Sequence, residues 1–384
     1  MKRMRFFLII ASLWSYTYYK AIQTFPAHEL LIVPCSLLLF LVMIGWLFAY
    51  HAHPDWVERL WFRLIIWFGT LMMGLWATFI LLSIPLDVIF LGNYVVQMIF
   101  NSSAHNPVAL VSVHQKINYF LLILSACFAG IGFLGALGGP KVKKITISTN
   151  NVPQELDDMT IIQISDLHVG PTIRQFYVDR VVKLANAANP DFIVVTGDLA
   201  DATAESIEQH LEPLARLEAR HGIYYVTGNH EYYWGIEGWL DKVKQLGFQP
   251  LINEHKVIHA NGINILIAGV TDHIGGHFHH SHKPNIEKAL QSDEITQFKI
   301  LLAHRPDVCF EAEKLGVNLQ LSGHTHAGQF FPFNLLLPLA YKYYRRANQH
   351  GNLQLYVNPG TGYWGPANRF GVPSEITLLT LKRV

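Results

Sequence analysis

The sequence contains little cysteine and no long run of basic residues. Three cysteines stand far apart among 384 residues, at positions 35, 127 and 309. That spacing supplies neither a disulfide framework nor a thiolate zinc site. The formal net charge is +1, and no basic run exceeds two residues, as in Arg345–Arg346. These absences argue against a disulfide-stabilised secreted scaffold and against a nucleic-acid-binding protein.

Charge is also scarce in the first 140 residues, which hold only eleven Asp, Glu, Lys or Arg residues. The apolar runs 30–50, 64–86 and 118–138 have about the 20 residues that a helix needs to cross a bilayer. A shorter run, 6–22, follows a basic N-terminus and suits a first span or a signal peptide. No small-residue cleavage pattern follows it promptly, which favours a retained span. We therefore predict an N-terminal α-helical transmembrane bundle of about four helices within residues 1–140.

The distribution of basic residues predicts the orientation of this bundle. With four spans, eight lysines and arginines near the span ends fall on one side of the membrane and two on the other. The positive-inside rule then predicts a multi-pass protein of the inner or plasma membrane, with both termini and the C-terminal domain in the cytoplasm. Residues 88–100 are too short to span and are predicted to be interfacial, although a crossing there would move that domain to the other side.

The helices are predicted to anchor the protein rather than to transport a solute. No Asp, Glu, Lys or Arg lies inside the three long apolar runs. Ion and proton pathways normally need polar or ionisable groups at membrane depth. The absence of such groups therefore favours an anchor.

The second half of the chain alternates short β-branched runs with helical patterns. Residues 141–153 are predicted to be a linker and residues 154–384 a separate domain. Predicted strands are 160–165, 192–196, 223–227, 263–270, 299–303, 319–322, 354–358 and 376–381, and predicted helices are 175–188, 204–220, 236–246 and 306–315. This alternation predicts an α/β domain, whose site would lie beyond the carboxyl ends of the strands.

Metal-ligand types occur at those strand ends. The motifs are Asp166-Leu-His168, Gly197-Asp198-Leu-Ala-Asp201, Gly228-Asn229-His230-Glu231, Ala303-His304 and Gly323-His324-Thr-His326. Residues two apart on an extended backbone point the same way, so Asp166 and His168 can serve one ion. Asp198 can bridge two ions through its two oxygens. Any one of these histidines alone reads more simply as a hydrogen-bonded residue, but the whole series predicts a two-metal hydrolase.

With these motifs in this order, the sequence resembles the calcineurin-like metallophosphoesterases over residues 145–381. It is most similar to their membrane-anchored bacterial branch, whose pattern ends in a segment like Asn358-Pro-Gly-Thr-Gly-Tyr-Trp-Gly365. The resemblance implies a two-sheet β-sandwich flanked by helices. It implies one ion held by Asp166, His168, Asp198 and His326, and a second ion held by Asp198, Asn229, His304 and His324. It also implies that His230, oriented by Asp201, protonates the leaving oxygen or stabilises the transferring phosphoryl group.

The chemistry of the donors agrees with that reading. Mixed oxygen and imidazole ligands suit Mn, Fe or Zn better than Mg or Ca. Two such ions about 3.5 to 4 Å apart can generate a bridging hydroxide for attack at phosphorus. The prediction is a membrane-anchored phosphoesterase that acts on a phosphate ester or pyrophosphate of a small-molecule or lipid-linked substrate. The alternative is a membrane sensor that binds metal or nucleotide without turnover, although every implied ligand position is filled.

Two further segments are open to more than one interpretation. Residues 329–344 are largely apolar and end in Lys342, and Arg345 and Arg346 follow directly. This segment suits either insertion into a lipid interface or packing against the domain core. The histidine-rich stretch 273–282 suits an exposed loop better than a metal site. Arg174 and Arg305 suit either substrate phosphate or structural ion pairs.

Overall fold

The computed structural model describes residues 12, 15–25, 59–100 and 107–384. The predicted span 30–50 lies outside these residues, as does most of the first part of the run 6–22. Residues 15–24 form helix α1. Two long apolar helices follow, α2 (Leu60–Phe100) and α3 (Pro107–Leu137). Both are long and apolar enough to cross a membrane.

Helix α2 is longer than the predicted span 64–86. It has 41 residues and continues through Pro85 and through residues 88–100. The apolar character of Val88–Phe100 lets the helix extend where the sequence predicted a separate interfacial segment. Residues 88–100 therefore belong to α2, and α2 and α3 form a single helical hairpin.

An ionisable cluster lies between these helices, just outside the long apolar runs predicted to span the membrane. Asp87 lies inside α2, and its Oδ1 atom is 2.9 Å from Lys20 Nζ of α1 and 3.0 Å from His114 Nε2 of α3. Lys20 Nζ also donates to Asn118 Oδ1 at 2.9 Å. We call Lys20, Asp87, His114 and Asn118 the helix cluster. Its bonds join all three described helices.

The soluble domain contains twelve strands and a set of short helices. The strands are β1 (Lys141–Ser148), β2 (Thr160–Ile164), β3 (Phe192–Thr196), β4 (Ile223–Val226), β5 (Gln249–Pro250), β6 (Glu254–Ala260), β7 (Ile263–Gly269), β8 (Phe298–Leu302), β9 (Leu319–Ser322), β10 (Arg346–His350), β11 (Leu353–Val357) and β12 (Glu375–Lys382). The α-helices are α4 (Gln175–Ala187), α5 (Glu208–Leu211), α6 (Asn229–Tyr233), α7 (Ile236–Gln245), α8 (Gly275–Phe278), α9 (Ile286–Leu290), α10 (Cys309–Ala312) and α11 (Leu337–Ala340). Single 3₁₀ turns lie at Gln154–Leu156, Glu212–Arg216, His280–His282, Pro306–Val308, His326–Gly328 and Phe333–Leu335.

The strands form two six-stranded sheets that face each other. The strand orders are β1-β12-β2-β3-β4-β5 and β10-β11-β9-β8-β7-β6. Successive residues of a strand point to opposite faces, so Ile161 packs between the sheets whereas Ile162 packs against the helices outside. A third apolar cluster, including Leu266 and Ala312, covers the outer face of the second sheet. This arrangement confirms the predicted α/β domain with two sheets flanked by helices.

Several local elements differ from the prediction, and one is the predicted helix 306–315, which forms a 3₁₀ turn followed by the short helix α10. The predicted linker 141–153 begins with strand β1, which pairs in parallel with β12 at the edge of the first sheet. Its lysines are typical of an exposed linker. However, Val142 packs on the helix side of the sheet, and Ile147 packs in the space between the sheets. The predicted helix 204–220 is split into α5 and a 3₁₀ turn, because Pro213 cannot donate the backbone hydrogen bond that a continuous helix needs.

Helix α3 packs directly on the soluble domain. The backbone N–H of Arg369 donates to the carbonyl oxygen of Gly132 at 3.0 Å. A Cβ atom on Gly132 would lie 1.7 Å from Asn368 Oδ1, so only glycine permits this approach. Phe128 stacks on Phe370 with ring centroids 4.3 Å apart. The soluble domain is therefore held against the helical hairpin by close contacts as well as by the chain connection.

Candidate metal centre

The ends of five strands bring the predicted site residues together. We call these residues the strand-end cluster: Asp166, His168, Asp198, Asp201, Asn229, His230, His304, His324 and His326. They follow β2, β3 and β4 of the first sheet and β8 and β9 of the second. Parallel strands end at a common edge, so residues distant in sequence meet there. All but His230 and His324 are buried.

One group of donor atoms is built by Asp166, His168 and His326. The Nε2 atoms of His168 and His326 lie 3.0 Å apart. His326 Nε2 is also 3.4 Å from Asp166 Oδ1. These three side chains each direct one donor atom to a common point, within 4.8 Å of one another.

A second group is built by Asp198, His304 and His324. His304 Nε2 lies 3.2 Å from Asp198 Oδ2 and 3.1 Å from His324 Nδ1. Their donor atoms also lie within 4.8 Å of one another. The same Asp198 oxygen is 4.0 Å from His168 Nε2 of the first group. Asp198 therefore stands between the two groups.

The backbone at these residues differs from the extended conformation expected for Asp166 and His168. Five cluster residues have positive φ: Asp166 (51°), His168 (54°), Asp198 (51°), His324 (68°) and His326 (49°). Non-glycine residues seldom adopt this conformation, and each such residue costs about 1–3 kcal/mol. The side chains thus converge through tight left-handed turns at the strand ends. Such strain persists where the surrounding fold enforces it, and it concentrates at functional sites.

Two glycines leave room for the carboxylates. A Cβ atom on Gly228 would lie 2.1 Å from Asp198 Oδ1, and one on Gly323 would lie 2.1 Å from Asp166 Oδ2. Both distances are far inside van der Waals contact. Glycine at each position therefore allows one strand-end turn to close over the carboxylate of another.

Hydrogen bonds fix the orientation of the histidines. His304 Nδ1 lies 2.8 Å from the carbonyl oxygen of Thr196, which makes Nδ1 the donor and directs Nε2 to the second donor group. His168 Nδ1 is 3.0 Å from Asp201 Oδ1, and the same oxygen contacts His230 Nδ1. Asp201 therefore orients two imidazole rings, with the Nε2 atom of His168 directed to the first donor group.

Glu231 supports the cluster in a role that the sequence analysis left unassigned. Its buried carboxylate accepts backbone N–H bonds from Leu199 at 2.6 Å, from Gly228 at 2.7 Å and from Asp198 at 3.2 Å. Glu231 thus fastens the turn after β3 to the turn after β4. Its place directly after His230 gives no hint of this role, because two of the three donors are backbone N–H groups about 30 residues away in the chain.

The electrostatics of the cluster favour positive charge between its carboxylates. Burial alone would raise the pKa of Asp198, but His304, His230 and His168 outweigh it and hold that pKa well below its usual value. Burial would likewise raise the pKa of Asp201, yet His168 and His230 lower it to about 2. Burial opposes protonation of His230, but the charges of Asp198 and Asp201 raise its pKa to about 10.

The donor set fits two transition-metal ions. The side chains present carboxylate oxygens and imidazole nitrogens with no thiolate, which suits Mn, Fe or Zn. Asn229 Oδ1 is buried and has no hydrogen-bond partner in the described part of the chain. A buried carbonyl oxygen without a partner is costly, and a cation would satisfy it. This unpaired oxygen and the two convergent donor groups are what a dinuclear site needs.

The other candidates make protein contacts instead. In the histidine-rich stretch, His273 pairs with Asp272 at 3.2 Å and His282 Nδ1 lies 3.0 Å from the Tyr232 hydroxyl. No residue of that stretch belongs to a metal-capable group among the described residues. Arg305 forms an ion pair with Asp272 at 3.0 Å. Tyr341, unnoticed in the sequence, places its hydroxyl 3.2 Å from His324 Nε2.

The sandwich and its strand-end histidines and carboxylates define a metallohydrolase. Calcineurin-like phosphoesterases match residues 159–328 of the chain. A transmembrane protein with metallophosphoesterase domain from Danio rerio is 32% identical over 381 residues, covering 91% of this chain and 86% of its own. An uncharacterized metallophosphoesterase from Helicobacter pylori is 39% identical over 268 residues, covering 69% of this chain and 70% of its own.

These similarities establish the family. The chain belongs to the calcineurin-like metallophosphoesterases, which confirms the resemblance noted in the sequence and makes the protein a hydrolase of the phosphoesterase class. The two apolar helices and the transmembrane relatives indicate membrane association. Among solved structures, a dimetal phosphatase from Danio rerio aligns with 53% of this chain and 88% of its own, at 12% identity and a TM-score of 0.32.

Proposed function

We propose that the protein is a membrane-anchored, dinuclear metal-dependent phosphoesterase that hydrolyses a phosphate ester or pyrophosphate of an amphiphilic, lipid-linked substrate. The observation that carries this proposal is the pair of donor groups on either side of Asp198, each within 4.8 Å. Two cations held there would share one carboxylate, the arrangement needed to activate water and the substrate together.

The proposed ligand roles follow the two donor groups. Asp166, His168 and His326 would hold the first ion, and His304, His324 and Asn229 the second, with Asp198 shared between them. Two Mn, Fe or Zn ions held there would supply Lewis-acid activation of water and neutralisation of phosphoryl charge for hydrolysis at phosphorus. The protein supplies the ligand orientation that fixes this geometry.

His230 would act on the leaving group. Its ring lies beside Asp198, with Nε2 3.8 Å from Oδ2, and its Nδ1 faces Asp201. The charges of Asp198 and Asp201 raise the pKa of His230 to about 10 against burial, which favours the protonated ring. As the bond between phosphorus and the leaving oxygen breaks, His230 Nε2–H would donate its proton to that oxygen. Asp201 is the positioning residue that holds the ring in this orientation.

The membrane part sets where the reaction would take place. We propose that the chain crosses the inner or plasma membrane several times and that its catalytic domain lies in the cytoplasm. Basic residues near the ends of α2 and α3 support this orientation under the positive-inside rule. The two helices form one hairpin, so residue 60 and the start of β1 lie on the same side of the membrane. A substrate confined to that leaflet would reach the strand-end cluster without leaving the bilayer.

The direct test is hydrolysis of bis(p-nitrophenyl) phosphate by the full-length protein with added Mn. We expect the wild type to turn over, and Asp198→Asn to lose both activity and bound metal. Asp293→Asn, which removes an exposed carboxylate far from the cluster in sequence, serves as the matched control and should behave as the wild type does. Equal behaviour of all three preparations would favour a metal-binding sensor without turnover and would contradict the proposal.

A further inference from the structure

A cavity of about 520 Å³ opens beside the strand-end cluster and extends to helix α2. Its lining includes His324 and His326 of the strand-end cluster and Met73 and Ala77 of α2. Its remaining surface is mainly apolar and includes Phe330, Phe333, Leu336 and Leu337. Small-molecule sites have volumes of about 300–1,000 Å³. The cavity is therefore large enough for a ligand and is continuous with the proposed reaction centre.

Away from the histidines, the side chains of Gln329 and Thr325 that line the cavity are already satisfied by the protein. The Gln329 amide donates to the carbonyl oxygens of Trp364 at 2.8 Å and Pro366 at 2.9 Å, and its oxygen accepts from the Trp364 N–H at 2.8 Å. The Thr325 hydroxyl donates to the Tyr344 carbonyl oxygen at 2.6 Å. A polar ligand in this space would lose its hydration and gain few hydrogen bonds, at a net cost. A hydrocarbon chain has no such cost.

The position of the cavity also points to hydrocarbon. Its α2 wall belongs to a helix that is long and apolar enough to cross the membrane. In the segment that also supplies Phe333 and Leu337, Leu335 and Leu339 do not line the cavity and are 62% and 86% exposed. Contiguous exposed apolar side chains beside a membrane helix mark a surface that lies in lipid. A chain anchored in the bilayer would thus enter the cavity between α2 and residues 330–341 without crossing water.

We infer that this cavity binds the hydrocarbon chain of the substrate while the phosphoryl group lies at the strand-end cluster. The inference rests on the proposed phosphoesterase function and deepens it, because it makes α2 one wall of the substrate site rather than only an anchor. Ala77 on α2 and Ala340 on α11 become specificity-determining positions. A larger side chain at either position fills the space that the chain requires, while the metal ligands are untouched.

The test compares two substrates that share one reacting group. Ethyl p-nitrophenyl phosphate and dodecyl p-nitrophenyl phosphate are offered, with Mn, to the full-length protein in phosphatidylcholine nanodiscs. The measured quantity is the ratio of kcat/KM for the dodecyl ester to that for the ethyl ester. We expect this ratio to exceed one in the wild type and to fall about tenfold in Ala77→Trp and in Ala340→Trp, the size typical of overpacking in a closed site.

Matched controls separate binding in the cavity from partitioning of the long ester into lipid. Ile84→Trp lies seven residues along α2 from Ala77, on the same face but beyond the cavity, and Leu339→Trp is next to Ala340 but points outward. Both add the same side chain to the same elements. Because partitioning depends on the bilayer and not on the variant, these two proteins should keep the wild-type ratio.

The outcomes distinguish the two proposals. Hydrolysis of neither ester by the wild type contradicts the proposed phosphoesterase function itself. Hydrolysis of both with a ratio that stays constant in Ala77→Trp and Ala340→Trp, or falls equally in the controls, overturns the cavity alone. If Ala77→Trp loses activity on both esters through misfolding, the result for Ala340→Trp decides, since that residue is exposed and in another element.

Discussion

The described residues contain two buried groups of ionisable side chains, the helix cluster between α1, α2 and α3 and the strand-end cluster of the soluble domain. In the helix cluster the cation is part of the chain, because Lys20 Nζ lies 2.9 Å from Asp87 Oδ1. In the strand-end cluster, Asp166 and Asp198 face imidazole nitrogens, and no lysine or arginine is among the proposed ligands. One cluster neutralises its own charge, whereas the other leaves a place for external cations.

The two clusters therefore show two uses of buried charge: the helix cluster serves structure, and the strand-end cluster serves the proposed catalysis. A buried charge must be paired, because removing it from water costs several kcal/mol. The helix cluster meets that requirement with hydrogen bonds between helices, including that of the Tyr16 hydroxyl to Asp87 Oδ2 at 2.6 Å. Such bonds fix how α1, α2 and α3 pack. The strand-end cluster keeps an unpaired Asn229 oxygen and strained backbone turns, features that serve a ligand rather than stability.

The largest expected effect comes from removing the metal ions from the strand-end cluster, because a chelator cannot remove the lysine of the helix cluster. Dialysis against a chelator should abolish hydrolysis, a fall of at least about 10⁴-fold, beyond the range typical for loss of a general acid. Adding Mn back should restore activity and raise stability by about 2.7 kcal/mol at one hundred times the dissociation constant. Elemental analysis and calorimetry with and without Mn measure both. Retention of full activity by metal-free protein would remove the distinction between the clusters.

The next largest effect distinguishes His230 from the other histidines of the strand-end cluster. His230 alone among them is proposed to move a proton, whereas the others are proposed to bind metal. His230→Ala should lower kcat by about 10²–10⁴-fold for a poor leaving group such as an alkyl alcohol. The loss should be smaller for p-nitrophenolate, which leaves without needing a proton. Metal content should match that of the wild type, with His277→Ala as the control. Equal losses for both leaving groups would argue against the proton-donor role.

Breaking the helix cluster should affect stability rather than chemistry. Asp87→Leu leaves Lys20 buried and unpaired, and we expect a loss of about 3–5 kcal/mol in the free energy of unfolding. The double variant Lys20→Met/Asp87→Leu removes both charges and should recover most of that loss. Unfolding by SDS titration, followed by tryptophan fluorescence, measures each protein. If the double variant is as unstable as the single one, Lys20 and Asp87 are not each other's main charge partners.

The smallest expected effect concerns the contact that joins the two regions. Gly132→Ala places a methyl group 1.7 Å from Asn368 Oδ1 and should cost about 1–3 kcal/mol through overpacking. Gly130→Ala is the matched control, because a Cβ atom there meets nothing within 4 Å. Thermal melting of the two variants gives the difference. Identical melting temperatures would mean that the domain and helix α3 separate easily.

The sequence predicts the strand-end cluster better than the helix cluster, for a physical reason. Parallel strands deliver their next residues to one edge, so short motifs after apolar runs predict which side chains meet. Lys20 and Asp87 are 67 residues apart on different helices, and no local pattern connects them. Asp87 also lies one residue beyond the predicted span 64–86, and the persistence of α2 through Pro85 is what brings it inside the bundle.

Other features depend on tertiary contacts that no short pattern contains. Strand β1 looks like a basic linker because its partner, β12, is more than 200 residues away in the chain. Glu231 supports the site through backbone N–H groups, which have no sequence signature. The cavity between α2 and residues 330–341 needs both regions, and the sequence shows only that each is apolar.

The connection from α3 to β1 consists of residues 138–140 alone. Because this connection is so short and Gly132 also contacts the domain, the catalytic domain can neither swing away from helix α3 nor move far from the lipid surface. For the lipid-linked substrate proposed above, encounters would then take place by lateral diffusion within a thin layer. Turnover would follow the number of substrate molecules per unit area of membrane, rather than their amount per unit volume of solution.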